Sequence, residues 1–442
     1  MKNFIFIVIE PGLLRIIKCN SSFKVFLMVC FVLWGISNNS LASEKSSEIL
    51  MHEAIAVALS NNPKIKMRQS QYVAMSSRSL QLGALPEPVL MINSVNLPVD
   101  SFALNETPMT QMQLGITQTL PFPGKLVLSE QIATTEAESS QAQLGLTKQH
   151  LVKVVSQLWW QLFYLDKSIE THENNINLLD EFIDVVETKY TVGQGLQQDV
   201  LLANVELAKI EDKKLRTEAQ RSQVAASFNY LLGRDLDQQV KLPLKVSTDL
   251  PEQLDVTLLI EQAMNKHSEL HRSRLKISAA ESRVNLAEKD YYPDFKIAAI
   301  YGWRQDETAL ASFKLSMNLP FNIEKRQDNK RDQRKHEWLA SKFELLDKEN
   351  AVKEEIYRSL SEYTSARKQK QIYEERIIPQ AKQVVDAMLA GYQVNKVDFL
   401  RLLRSQINLF DLETQYWLSI STANQALAAL NYATAKEIVY EH

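Results

Sequence analysis

Cysteine is almost absent: the 442 residues contain two, Cys19 and Cys30. Both fall in an N-terminal segment with the character of a removable leader, so the chain beyond it holds no disulfide framework, no thiolate metal site and no cysteine nucleophile. Glycine (11) and proline (13) are scarce for this length, which argues against many short strands joined by turns and for a few long elements. An excess of charge of one sign is also missing. Lys and Arg number 50 against 53 Asp and Glu, a net charge of −3 that gives no footing to a nucleic-acid or polyanionic partner. Beyond Ala42 no apolar run reaches the ~20 residues that a helix needs to cross a bilayer.

Lys18 and Lys24 precede the uncharged run Val25 to Ile36, which ends in Ser40-Leu41-Ala42. This is the pattern of a secretory signal over residues 1–42 with cleavage after Ala42. An earlier apolar run, Phe4 to Ile9, leaves an internal start such as Met28 open. An exported chain without a spanning helix is either soluble outside the cytoplasm or sits in an outer membrane as a β-barrel.

The rest of the chain reads as two copies of one unit. Met112, Leu114 and Ile116 alternate with Gln113, Gly115 and Thr117, and the run closes at Leu120-Pro121-Phe122-Pro123-Gly124. Helical periodicity then takes over, so a strand ends and a helix begins there. Phe313, Leu315, Met317 and Leu319 repeat the alternation before Pro320-Phe321 and a second long charged helical stretch. Repeat 1 (43–234) is read as a helical region, strands 89–97 and 110–120, and a long helical hairpin whose tip lies near 190–198. A polar linker (235–255) leads to repeat 2 (256–442), with strands 295–303 and 312–319 and a tip near 392–398. In the third strand Phe295, Ile297, Ala299, Tyr301 and Trp303 form one apolar face. Lengths near ten with this alternation suit tilted membrane strands, although a half-buried soluble sheet alternates in the same way.

The helices carry a heptad. Leu144, Leu151, Leu158, Leu165, Leu179 and Val186 step by seven, and Val155, Leu162, Ile169, Ile176, Ile183 and Tyr190 form a second set offset by four. His172 occupies one seam position and reads as a packing residue. From Lys125 to Val192 such a helix reaches about 100 Å, with an interruption expected near Gly145. Pro379 is expected to kink or break the outgoing helix of the second hairpin. The fold class is therefore mainly α with membrane β: long helical hairpins plus four strands per chain. Four strands cannot seal a barrel in lipid, so copies of the chain must pool them.

Gln118-Thr119-Leu120-Pro121-Phe122-Pro123-Gly124-Lys125-Leu126 resembles the strand-to-helix junction of the outer membrane efflux protein (TolC) family, in particular its heavy-metal (cobalt–zinc–cadmium) branch. The second copy, Leu319-Pro320-Phe321-Asn322, lacks the second proline and the glycine. By this resemblance, three chains form a twelve-stranded barrel and a periplasmic α-barrel. The homotrimer would stand in the cell outer membrane, among its lipid, and extend into the periplasm. There it would dock on a periplasmic adaptor (membrane fusion) protein and an inner-membrane pump, as the passive exit duct of a tripartite efflux system for divalent metals. Tyr190-Thr191-Val192-Gly193, followed by Asp199-Val200-Leu201, is similar to the family's hairpin tip. The resemblance makes Tyr190, Val192, Gly193, Val394 and Asn395 the adaptor-docking tips. It puts Asp398 where the family has an entrance aspartate, with Arg401 at a second position that is acidic in the family, and Asp199 in the other hairpin. Both aspartates equally fit helix N-terminal acids that cap exposed amides. Drug or peptide efflux and type I secretion ducts of the same family remain alternatives, as does a soluble periplasmic coiled-coil adaptor or scaffold.

Nothing in the sequence forms a catalytic constellation, so no enzyme activity, cofactor or bound metal is expected. The seven histidines are scattered. His267 and His271 stand four apart without a third ligand and are expected on a solvated helix face. Trp159-Trp160 reads as packing, and Gly193-Gln194-Gly195 is too slight for a phosphate loop.

Overall fold

The computed structural model describes residues 48–252 and 254–435. The expected signal segment with Cys19 and Cys30, and His442, lie outside them. Helices α1 (Met51–Asn61) and α2 (Pro63–Gly83) lead into strands β1 (Val89–Val95) and β2 (Gln111–Leu120), then into helix α3 (Lys125–Thr191) and its return partner α4 (Gln197–Leu232). The second half runs through the same order: α5 (Val256–Lys266), α6 (Ser268–Lys289), β3 (Phe295–Trp303) and β4 (Leu310–Met317). A π-helical turn, Glu324–Asp328, opens α7 (Asn329–Ile372), and a second one, Tyr373–Ile377, joins it to α8 (Ile378–Gln393) before α9 (Phe399–Thr434) returns.

Strand ends differ from the alternation pattern by a few residues. β1 stops at Val95 because Asn96 takes a left-handed conformation (φ 53°), which leaves the ladder. β4 begins earlier, since Leu310 and Ala311 pair with Gly302 and Tyr301. It also ends earlier, where the Asn318 side chain turns to accept the Asp294 N–H at 2.7 Å.

Of two expectations about the helices, one is corrected and one is met. Helix α3 runs unbroken through Gly145. A glycine costs a helix about 1 kcal/mol, less than the packing on either side supplies; a Cβ there would meet Ser268 Oγ at an ordinary 3.6 Å. Pro379 does interrupt its helix locally: α7 stops at Ile372 and α8 begins with the proline in its first turn. The π turn at Tyr373–Ile377 lies just ahead of it, where proline's missing N–H and its clash with the carbonyl four residues back are absorbed by a wider turn.

The heptad residues of α3 are where the core lies. Leu162, Leu165, Leu179 and Val186 are fully buried, against α4 and α9. Trp159 and Trp160 pack edge to face at 5.1 Å inside the largest cluster, and Trp159 Nε1 donates to the Ile49 carbonyl at 3.1 Å. That bond pins the start of the described chain against α3. His172 is half-buried with Nε2 3.4 Å from Ser168 Oγ, and burial, then Lys213, lowers its pKa, so it packs as a neutral ring.

His267 is not on a solvated face. It is buried as the N-cap of α6, where Nδ1 accepts the Glu269 N–H at 3.2 Å; only His271 is exposed. Asn62 caps α2 in the same way, accepting the Lys64 N–H at 2.9 Å.

Candidate functional site

Three features, each set by the sequence pattern, converge on one reading: the sheet, the junction beneath it and the hairpin tips. The sheet is antiparallel in the order β1-β2-β3-β4, so the central β2–β3 ladder joins the two halves. Its register aligns like with like: Ile92 faces Leu114, Leu114 faces Tyr301, and Ala299 faces Phe313. One face is therefore apolar across all four strands, and it is open to the surroundings, with Ile92 70% and Phe313 87% exposed. The other face carries Asn93, Gln113, Thr117, Lys296 and Lys314. Among the described residues no helix packs on either face, and the outer edges of β1 and β4 are unpaired. A single sheet layer with one bare apolar face and two free edges is not stable in water. None of the described helices is long and apolar enough to cross a membrane.

Below the sheet, Gly124 caps α3 in a left-handed conformation (φ 92°), so the helix begins after the glycine and not on the prolines. Phe122 stacks on Tyr292 with ring centroids 4.5 Å apart, and its N–H donates to Asp294 Oδ1 at 2.8 Å. Lys125 Nζ lies 3.0 Å from Asp294 and 3.2 Å from Asp290. Asp290 also meets Lys330 at 2.5 Å. Against the burial that would raise it, Lys330 and Lys125 hold the Asp290 carboxyl below its ordinary range. Tyr291 donates to Asp328 in the π turn. The junction is thus a seam between the halves: the first supplies Leu120, Pro121, Phe122, Pro123, Gly124 and Lys125, the second their partners. Sequence reading found the former and missed Asp290, Tyr292 and Asp294. The signal was Tyr291-Tyr292-Pro293-Asp294 directly before a strand.

At the tips, Gly193 (φ 75°) and Asn395 (φ 59°) take the left-handed place in the two turns. Tyr190, Val192 and Val394 are exposed there, Tyr190 although it closes a heptad seam. The two tips of one chain touch. Lys189 Nζ reaches Asn395 Oδ1 at 3.0 Å and the Tyr392 carbonyl at 3.3 Å, and it sits 4.1 Å from the Tyr392 ring centroid. Lys189 was not singled out beforehand; a cation in the last turn of a helix is the signal that was there. Asp398 is the N-cap of α9, accepting the Arg401 N–H at 2.9 Å while Arg401 Nε lies 3.2 Å from its other oxygen. Asp199 makes no cap, since Leu196 holds that place. Burial, then the charge of Asp398, raises its pKa, so the two acids share one neighbourhood. No group of three or more metal-ligating side chains occurs among the described residues.

Residues 259–436 match the family model described as outer membrane efflux protein. Over 401 residues, 88% of this chain and 90% of the relative, the chain is 18% identical to the cobalt-zinc-cadmium resistance protein CzcC of Cupriavidus metallidurans. Among solved structures, the outer membrane protein VceC of Vibrio cholerae aligns with a TM-score of 0.73 at 15% identity, covering 87% of this chain and 95% of that one. CusC, solved in a study of folding and transmembrane channel formation, aligns with a TM-score of 0.73 at 15% identity, covering 87% and 91%. At such identities the structural likeness establishes the fold. The chain is thus similar to the outer membrane efflux proteins, by the family model over residues 259–436 and by fold over most of its length.

Proposed function

We propose that this protein is the outer-membrane exit duct of a tripartite efflux system, formed by three copies and carrying divalent metal cations. The observation that carries the reading is the exposed apolar face shared by all four strands, bounded by two unpaired edges. In hydrocarbon, an open edge leaves backbone N–H and C=O groups unsatisfied at several kcal/mol each. The edge of β4 in one copy is therefore matched to the edge of β1 in the next, and three copies give the twelve strands of a closed barrel. The hairpins below it follow the same symmetry and extend the bore, with Tyr190, Val192, Gly193, Val394 and Asn395 as the surface for a periplasmic adaptor. The metal cargo is supported by the similarity to CzcC and by the junction sequence Gln118 to Leu126. Asp398 is a cap whose charge Arg401 offsets, which leaves Asp199 as the acid beside it, so the entrance would be only weakly acidic and cargo choice falls to the pump.

The test is fractionation with native mass measurement. The protein should resist carbonate, dissolve only in detergent and migrate as a trimer. A stable monomer in buffer without detergent overturns the duct and restores the scaffold reading. Deleting the gene should lower tolerance of cobalt, zinc or cadmium; unchanged metal tolerance with lost drug tolerance would overturn the cargo alone.

A further inference from the structure

We infer that the inner wall of the barrel carries a lysine ring that binds small multivalent anions; this rests on the duct reading above. The four strands contain two charged side chains, Lys296 and Lys314, and no carboxylate. Both belong to the face opposite the apolar one. Lys296 pairs with Ser316, and Lys314, two residues along β4, pairs with Ala298, so the two ammonium groups are diagonal neighbours on adjacent strands. Both are exposed, and neither has a hydrogen bond or ion pair among the described residues.

The acids nearby do not balance them. Asp294, two residues before Lys296, is held by Lys125 and the Phe122 N–H. Glu87 precedes β1, two strands away in its own copy; closing the ring sets it beside β4 of the neighbouring copy, one carboxylate against two ammonium groups per chain, while Asp100, Glu106, Asp306 and Glu307 belong to the loops at the far end of the strands. Like charges set diagonally on one face oppose each other and cost stability unless something outside the chain compensates them. On a lipid-facing position they would be disfavoured; on the inner face of a barrel they meet water and one another. Three copies bring six ammonium groups around one narrow bore with a low-dielectric wall, which concentrates positive potential where barrel meets helices. A compact polyanion suits such a ring. A divalent cation passing it must do so with its counter-anions or as an anionic complex, a constraint on the cargo that the helical part of the duct does not impose.

The experiment uses the full-length protein reconstituted in planar bilayers, with inorganic tripolyphosphate added on the side of the strand loops. Wild-type current should be blocked. Block by Lys296→Gln/Lys314→Gln should need at least tenfold more tripolyphosphate, single Lys314→Gln should lie between, and Lys296→Arg/Lys314→Arg should stay near wild type. Block of equal strength in the Gln and wild-type channels, or none in wild type, overturns the ring while leaving the duct intact. A wild-type protein that forms no pore defeats the duct reading, and the ring with it. If the double Gln variant does not insert, the single and Arg variants decide the matter by the same comparison.

Discussion

At the residue scale, three histidines tie this fold to pH. His150 and His267 both meet the Tyr432 ring edge-on, at 5.9 and 5.8 Å, and His172 lies in the α3 seam. Burial lowers all three below the ordinary value of 6.5, with Lys153 and Lys64 adding to it at His150. A histidine with a depressed folded-state pKa gives its full stability above its unfolded value and loses it as the pH falls through and below 6.5. The melting temperature of the detergent-solubilised protein should thus drop between pH 7.5 and pH 5. His267→Asn keeps a cap-forming side chain and should flatten part of that slope; an unchanged slope would show that His267 titrates normally. Lys189 is the second residue of consequence. Lys189→Ala removes two hydrogen bonds and a cation–π contact, about 1–2 kcal/mol of local stability. Amide exchange at 392–397 should accelerate by about tenfold, with the rest of the chain unaffected.

At the element scale, the junction decides where a sheet hands over to helices. Asp294 satisfies both the Phe122 N–H and Lys125, so Asp294→Ala leaves a half-buried donor without a partner and Lys125 with Asp290 alone. A loss of about 1–3 kcal/mol is expected by thermal melting, and Asp294→Asn should recover the amide bond only. The strands offer a sharper test, because on the duct reading neighbouring residues of β4 face lipid and water in turn. Phe313→Arg puts a charge on the apolar face at mid-strand and should cost about 2–4 kcal/mol. Ser312→Arg lies on the polar face and should be tolerated. Protease-resistant trimer in the outer-membrane fraction is the readout. Equal recovery of both variants would mean that the sheet does not stand in lipid.

The whole molecule is organised by edges. Contacts run from α2 to α3, α6 and α7 beside the sheet, and from α4 to α3, α9 and α7 towards the tips, in parallel with the strand order β1-β2-β3-β4. Each layer therefore ends on the same two sides. Exposed apolar side chains mark both: Val73 and Leu80 on α2, Phe343 and Leu346 on α7. Such a head-to-tail pair of surfaces closes into a ring when the rotation allows it.

How much of this the chain announces beforehand depends on the range of the force involved. Periodicity is local, and it placed the strand Phe295 to Trp303 and the helix from Lys125 onward, because burial on one side of a repeat is written into every second or seventh residue. Glycine misled at Gly145, where a small local cost was outweighed by long-range packing, whereas proline marked the interruption before Pro379 correctly. The sequence by itself determined the element types, the alternating faces and the heptad seam. Only the tertiary structure decided that Asp294 meets Phe122 and Lys125, that Lys189 ties one tip to the other, and that Lys296 and Lys314 share a face without a counter-charge. Those pairings join residues far apart along the chain, and a hydrogen bond or a charge contact leaves no periodic mark in sequence until the backbone has brought its partners within a few ångströms.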